Sequence, residues 1–355
     1  MSLPPKEIPL GAMRFNSDSQ KLEYFNGDVW MQVHTFNLNL DDNMDGGVRG
    51  LFAGGYTPSP SPGTCTDTVD KITIATAGNA TDWCNLTESK QGGANLGNST
   101  RGVYAGGRVS TTPGGSLTDK IEFITFATQG NYADSGGDLS NNVGCSGLSN
   151  STRGLIAGFI GPYSDSIDYI TIQSIGNGKD FGNLTAAKGY TMQCASPTRG
   201  LFFGGINNPS NPSINTIDYV TIATLGDAQD FGDMTNCGSG GRYEGTAISN
   251  STRAVQIGGY GPGYTSDMEY VTIASKGNTT SFGNLTAMNG TGKGGASSPT
   301  RGVVAGGYYH PGTPFSDTME YLTIATTGDG VDFGNLSVAR RMPQSGCSNG
   351  HGGLG

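Results

Sequence analysis

The residues of this chain that could do chemistry recur at near-regular intervals. Arg49, Arg101, Arg153, Arg199, Arg253 and Arg301 stand 52, 52, 46, 54 and 48 residues apart. An acid follows each of them at a distance of 15 to 21 residues: Asp70, Glu122, Asp168, Asp218, Glu269 and Glu320. Two chemistries are open to such a set. The carboxylates could form a ring of catalytic acids with shifted acidity. Alternatively, each could pair with its arginine across neighbouring antiparallel strands, contributing about 0.2–1 kcal/mol per pair. A catalytic centre has no need of six near-identical copies, so the expected role is structural, with one cross-strand ion pair per repeat and no catalytic residue.

The other candidates carry less. His34, His310 and His351 are scattered, and the six cysteines form no CxxC or Cys–His cluster, so neither a metal site nor a cofactor is expected. Cys145, Cys194 and Cys347 occupy a repeat position where other copies have Gly, Ala or Ser, and Cys84 replaces the glycine of a recurring "FGN". These read as small buried residues. Cys65 with Cys84 is the one pair that could form a disulfide. The "DFG" strings at Asp180, Asp230 and Asp332 lack the glycine-rich and catalytic loops of a kinase, and "GNGKD" around Gly176 lacks P-loop spacing.

The elements that must position these residues are strands. Each arginine sits in one phrase: "GVRGLFAGG", "STRGVYAGG", "STRGLIAGF", "PTRGLFFGG", "STRAVQIGG" or "PTRGVVAGG". A variable polar loop follows, then an alternating segment such as "IDYITI" or "MEYVTI" that holds the acid. Next comes Gly-Asn or Gly-Asp, at Gly78, Gly130, Gly176, Gly226, Gly277 and Gly328, expected to supply the positive φ of a tight hairpin. An aromatic segment such as "DFGNL" and a stretch of small residues complete the unit. Sixty glycines and only 14% charged residues favour strands and turns over helices. The net charge of −9 argues against nucleic acid as a partner. No apolar run approaches membrane-spanning length and the N-terminus lacks signal-peptide character, so no membrane insertion is expected.

A period near fifty with this internal order resembles the kelch repeat over residues 47 to 355. It departs from that pattern in using Phe, once Trp83, where kelch units have Trp, and in Phe159 standing for a glycine. The resemblance implies an all-β, six-bladed propeller with four antiparallel strands per blade. The "CSNGHGGLG" ending aligns with "CASPTRGLF", so the C-terminal strand is expected to close the first blade. Seven blades follow if the N-terminal strands form one of their own.

Residues 1–36 differ in kind and form a separate attachment module, with the propeller over 37–355. Strands are expected over 12–15, 21–25 and 30–33, with Asn26-Gly27 turning the last hairpin. The pattern "GAMRFNSDSQKLEYFNGDVW" resembles short modules of tailed-phage tail fibres and appendages. Phe15, Tyr24 and Trp30 are the expected anchors to the particle, because large aromatics dominate interfaces.

In a blade with strands numbered outward, the second-to-third loops share one face. These loops, 56–67, 108–118, 160–166, 206–215, 260–266 and 308–316, vary in length and hold Tyr56, Tyr163, Tyr260, Tyr264, Tyr308, Tyr309 and His310. A rigid frame carrying variable aromatic-polar loops suits recognition. The expected function is a non-enzymatic structural protein of a phage virion, a tail fibre, appendage or decoration assembled in the host cytoplasm. Its partners would be other virion proteins, further copies of itself, and a host-surface glycan or protein receptor. The alternative is an intracellular kelch-type adaptor.

Overall fold

A computed structural model describes residues 9, 11–16, 21–32, 48–58, 63–109, 115–140, 146–160, 162–174, 176–207, 213–237, 240–287, 290–309, 315–341 and 346–354. The chain forms two compact units, Met1–Asn43 and Met44–Gly355.

In the first unit Met13–Asn16, Lys21–Phe25 and Trp30–Gln32 make a three-stranded antiparallel sheet. Asn26 Oδ1 accepts from the amides of Asp28 and Val29 and shapes the second hairpin. Pairing sets Met13 beside Tyr24 and Met31, and Phe15 beside Leu22, so these five share one face. All five are exposed. On the opposite face Arg14 pairs with Glu23 at 2.8 Å and lies 4.2 Å over the Trp30 ring, which packs on Phe25. Of the expected anchors, Phe15 and Tyr24 present an open apolar face, whereas Trp30 serves the module's own packing.

Among its described residues the second unit holds six antiparallel sheets built on four strands each, one of which gains Lys90–Gln91 as a fifth strand, and two short two-stranded pairings. Sheet 1 combines Cys347–Ser348 with Arg49–Ala53, Thr68–Thr73 and Thr81–Asn85. Sheet 2 is Ala94–Gly97, Arg101–Val109, Ser116–Thr125 and Ala133–Asp138, and sheet 3 is Ser146–Ser149, Arg153–Ala157, Ser166–Thr171 and Lys179–Asn183. Sheet 4 is Met192–Ala195, Arg199–Phe203, Thr216–Thr221 and Gln229–Asp233; sheet 5 is Thr246–Ser249, Arg253–Tyr260, Tyr264–Thr272 and Thr280–Asn284. Sheet 6 is Gly294–Ser297, Arg301–Ala305, Thr318–Thr323 and Val331–Asn335.

The apolar residues of each sheet point to both faces, as the alternating sequence requires, and six buried clusters fill the spaces between consecutive sheets. One of them joins Phe52 and Ile72 of sheet 1 to Val303, Met319 and Phe333 of sheet 6. Phe159, where other copies have glycine, is buried in the cluster between sheets 2 and 3. The innermost strands of all six sheets line a cavity of about 60 Å³.

The repeated polar residues have partners different from those expected. Arg49 stands opposite Thr73 and Asp70 opposite Phe52, three positions along, so arginine and acid point to opposite faces of the sheet. The same offset separates Arg101 from Glu122, Arg153 from Asp168, Arg199 from Asp218, Arg253 from Glu269 and Arg301 from Glu320. Each arginine instead donates to a backbone carbonyl in the next sheet: Arg49 to Phe126, Arg101 to Ile172, Arg153 to Ile222, Arg199 to Ile273, Arg253 to Ile324 and Arg301 to Ile74. Five of them also stack on an aromatic ring of their own sheet, as Arg301 does 4.2 Å above Tyr321.

The acids hold the connectors that lead in from the preceding sheet. Each carboxylate accepts the backbone amide of a Ser or Thr, namely Ser337, Thr87, Ser140, Thr185, Thr235 or Thr286. Four meet a connector cation as well: Asp70 with Arg340, Glu122 with Lys90, Asp218 with Lys188 and Glu269 with Arg242. Near Glu320, burial pushes the Lys293 amine down to about 7.

The Gly-Asn turns also differ from expectation. Only Gly226 and Gly277 among the six have positive φ. The conserved geometry belongs to the side chain that follows. Asn79, Asn131, Asn177, Asp227, Asn278 and Asp329 each accept a backbone amide from the outer strand of the preceding sheet, at 2.8–3.2 Å. Cys84, Cys194, Cys237 and Cys347 are buried thiols, so no disulfide joins Cys84 to Cys65, and Cys65 Sγ faces the Arg108 carbonyl at 3.7 Å. Cys145 and His34 lie outside the described residues.

Candidate functional site

The glycine pair that ends each arginine strand decides where the variable loops go. In sheets 1, 2, 4, 5 and 6 both glycines have positive φ, for example +58° and +110° at Gly204 and Gly205. A Cβ on Gly204 would meet the Arg242 carbonyl oxygen at 2.3 Å, so only glycine lets the chain turn this close to the connector. The residue just past the pair then bridges to a connector: Tyr56 to Arg341, Arg108 to Gln91, Ile206 to Gly189, Tyr260 to Tyr243 and Tyr308 to Thr291. Loops and connectors are thereby zipped together, and their side chains meet.

The result is a continuous run of aromatic rings. Tyr190 contacts Tyr243, Tyr243 contacts Tyr260, Tyr260 contacts Tyr264, Tyr264 contacts Tyr308, and Phe315 lies between Tyr308 and Tyr56. Centroids are 4.8–6.3 Å apart and the rings are tilted or edge-on, the arrangement that aromatic quadrupoles favour. Each of these residues is half-buried, leaving part of its surface exposed. Tyr163 packs beside Gly189. Tyr309 contributes a backbone pairing with Gly290; its side chain and His310 lie outside the described residues.

A charged pair sits beside this run. Arg341 forms an ion pair with Glu244, and the Arg341 side chain is 33% exposed against 11% for Glu244. Tyr56 and Arg341 exchange backbone hydrogen bonds at 2.8 and 3.0 Å, which fixes the arginine's position. Burial, reinforced by the Glu244 charge, pushes the Tyr243 phenol up to about 12 and raises Tyr163 and Tyr190. These hydroxyls therefore remain neutral donors throughout the physiological pH range.

Tyr190 and Glu244 are also the only non-glycine residues with positive φ among the described residues, at 54° and 56°. Such backbone costs about 1–3 kcal/mol per residue and persists where the surroundings impose it. Glu244 N donates to the Tyr190 carbonyl at 3.3 Å, and Gly292 N donates to the Glu244 carbonyl at 2.8 Å.

Tyr56, Tyr260, Tyr264 and Tyr308, expected on one loop face, are thus joined in one surface. Sequence reasoning missed Tyr190, Tyr243, Glu244, Phe315 and Arg341. Four of these lie in or beside the connectors, where the repeat varies most, and the available signal was the same mixture of aromatic and polar residues that marked the loops. Among the described residues no group of His, Cys, Asp or Glu could hold a metal ion. Compared with known protein families and with curated proteins, the chain matches none.

Proposed function

We propose that the six sheets close into a kelch-like six-bladed propeller and that the chain is a non-enzymatic structural protein of a tailed-phage virion. In this reading the N-terminal sheet docks on the particle and the propeller presents its loop face to a host-surface receptor. The apolar cluster shared by sheets 6 and 1 and the single cavity lined by six inner strands support closure. The bare apolar face of the N-terminal sheet supports docking, since a three-stranded sheet of this size cannot bury a core alone. The attachment reading rests on the aromatic run from Tyr190 to Tyr56, which crosses loops of sheets 5, 6 and 1 and two connectors. A scaffold does not require such a surface, whereas half-buried tyrosines with neutral hydroxyls are well suited to recognition.

The test replaces loop 308–316, "YYHPGTPFS", with a short Gly-Ser linker. Folding should survive, because surface loops tolerate exchange, and adsorption of particles to host cells should fall several-fold. Weak single sites would be amplified by many copies on one particle. Unchanged adsorption after exchange of this loop together with 260–266 would overturn the attachment role.

A further inference from the structure

Four connectors pass through one equivalent backbone position. It directly follows the residue bridged to the loop, and it is occupied by Gly92, Tyr190, Glu244 and Gly292. Their φ angles are 68°, 54°, 56° and 69°. The same left-handed turn is therefore built four times. Glycine makes it twice without steric conflict, and twice a large side chain is kept there against its own backbone preference. Both exceptions fall beside the aromatic run, next to each other through the Glu244–Tyr190 hydrogen bond. The fold does not need either side chain to make the turn, so their retention points to what they present.

Glu244 presents Arg341. The buried carboxylate holds the more exposed guanidinium in place, between the Tyr56 backbone on one side and Gly292 on the other, where a Cβ would meet Arg341 Cγ at 2.3 Å. Tyr190 presents its ring to Tyr243, with neutral phenols around the pair. A carboxylate already paired with a guanidinium offers acceptors and donors side by side with no net charge. An anionic ligand would approach Glu244 against repulsion, and a cationic one would meet Arg341. Vicinal hydroxyls on a ring with an apolar face match both the paired ions and the tyrosine surfaces.

Resting on the attachment reading, we infer that Arg341, positioned by Glu244 and flanked by Tyr190 and Tyr243, is a subsite for a neutral saccharide unit of a host-surface glycan. Glu244 and Tyr190 act as positioning residues, and their strained backbone is retained for that purpose.

The full-length chain is probed with an immobilised panel of oligosaccharides ending in neutral hexoses or in uronic acids. Retention on the neutral members is expected. Glu244→Gly should weaken that retention at least tenfold while leaving Tm unchanged or raising it. Tyr190→Gly should also weaken binding at least tenfold. A merely structural role for Glu244 predicts instead a lower Tm and unaltered sugar binding, and that result overturns the proposal. Preference for uronic acids overturns it too. If the wild-type chain retains no sugar while exchange of loop 308–316 still lowers adsorption, the saccharide assignment fails and the attachment reading stands. Sugar binding lost in Glu244→Gly, with adsorption indifferent to the loop exchange, supports the subsite and removes the attachment role.

Discussion

Arg301 and Ile74 stand 227 residues apart in the chain, and the Arg301 guanidinium donates to the Ile74 carbonyl at 3.2 Å. A second bond, to the Ala75 carbonyl at 2.8 Å, and the Tyr321 ring beneath hold the guanidinium plane. Arg101 makes the equivalent bonds to Ile172 and Gln173 between sheets 2 and 3. Arg301→Ala should therefore destabilise the protein by about 2 kcal/mol, the value of a hydrogen bond from a charged donor. Arg301→Lys should recover only part, because an ammonium cannot stack flat and bond two carbonyls at once. Urea unfolding of the two variants checks this; a loss no larger than that of an ordinary surface substitution would remove the arginines from the frame.

Asp70 and Asp168 occupy equivalent positions with unequal partners. Asp70 faces the buried Arg340 guanidinium at 3.1 Å. Asp168 is held by the Ser140 amide and hydroxyl at 2.8 and 2.6 Å, and the sequence has no Lys, Arg or His from 121 to 152. Asp70→Asn should cost about 3–5 kcal/mol at pH 7, since it leaves a buried charge uncompensated. Asp168→Asn should be nearly neutral. Burial raises the Asp168 carboxyl above its ordinary range. With the folded value above the unfolded one, this group favours folding when protonated, and that contribution fades as pH rises through the interval between the two values. Denaturation curves from pH 3.5 to 7 should show that decline in the wild type and lose it in Asp168→Asn.

His351 lines the cavity that the first strands of the six sheets share. Its Nδ1 accepts the Gly353 amide at 3.2 Å, so Nε2 carries the proton toward the Gly97 carbonyl at 2.8 Å. Protonation of Nδ1 would set two donors against each other, and burial lowers the imidazole's basicity in the same direction. The neutral ring's stabilisation is complete above the ordinary value near 6.5 and is lost as pH falls below it. The protection factor of the Gly353 amide, its exchange rate referred to that of a free amide at the same pH, should fall by up to about tenfold per pH unit below about 6.5 until the folded ring itself titrates. His351→Gln should remove this dependence, and equal slopes in both proteins would contradict the assigned tautomer.

The N-terminal sheet should separate docking from folding. Phe15→Ser with Tyr24→Ser removes exposed apolar surface and should leave the fold intact while reducing incorporation into particles. Trp30→Ala should instead loosen the module, seen as loss of amide protection in 21–32, because Arg14 and Phe25 pack on that ring. Normal incorporation of the double variant would leave the apolar face without a docking role.

The repeat made much of the frame legible from sequence. A phrase written six times must form six equivalent units, and the alternation of large apolar residues with Thr demands strands buried on both faces, because side chains alternate across a strand whatever surrounds it. The strands therefore fell where Leu201, Phe203 and Ile217 enter the cluster toward sheet 5 and Val220 enters the cluster toward sheet 3. Partners were a different matter. Arg199 and Asp218 are neighbours in the pattern, yet a three-residue offset sends them to opposite faces, one toward the Ile273 carbonyl and the other toward Thr185 and Lys188. Those contacts join different sheets, and no local period encodes the distance between sheets. The same holds for the candidate site. Tyr56 and Tyr308 were visible as loop tyrosines, but Phe315 sits between them only because sheets 6 and 1 pack together. Tyr190 and Glu244 are marked by a backbone angle, which depends on the bridges their neighbours make to loops from other parts of the chain.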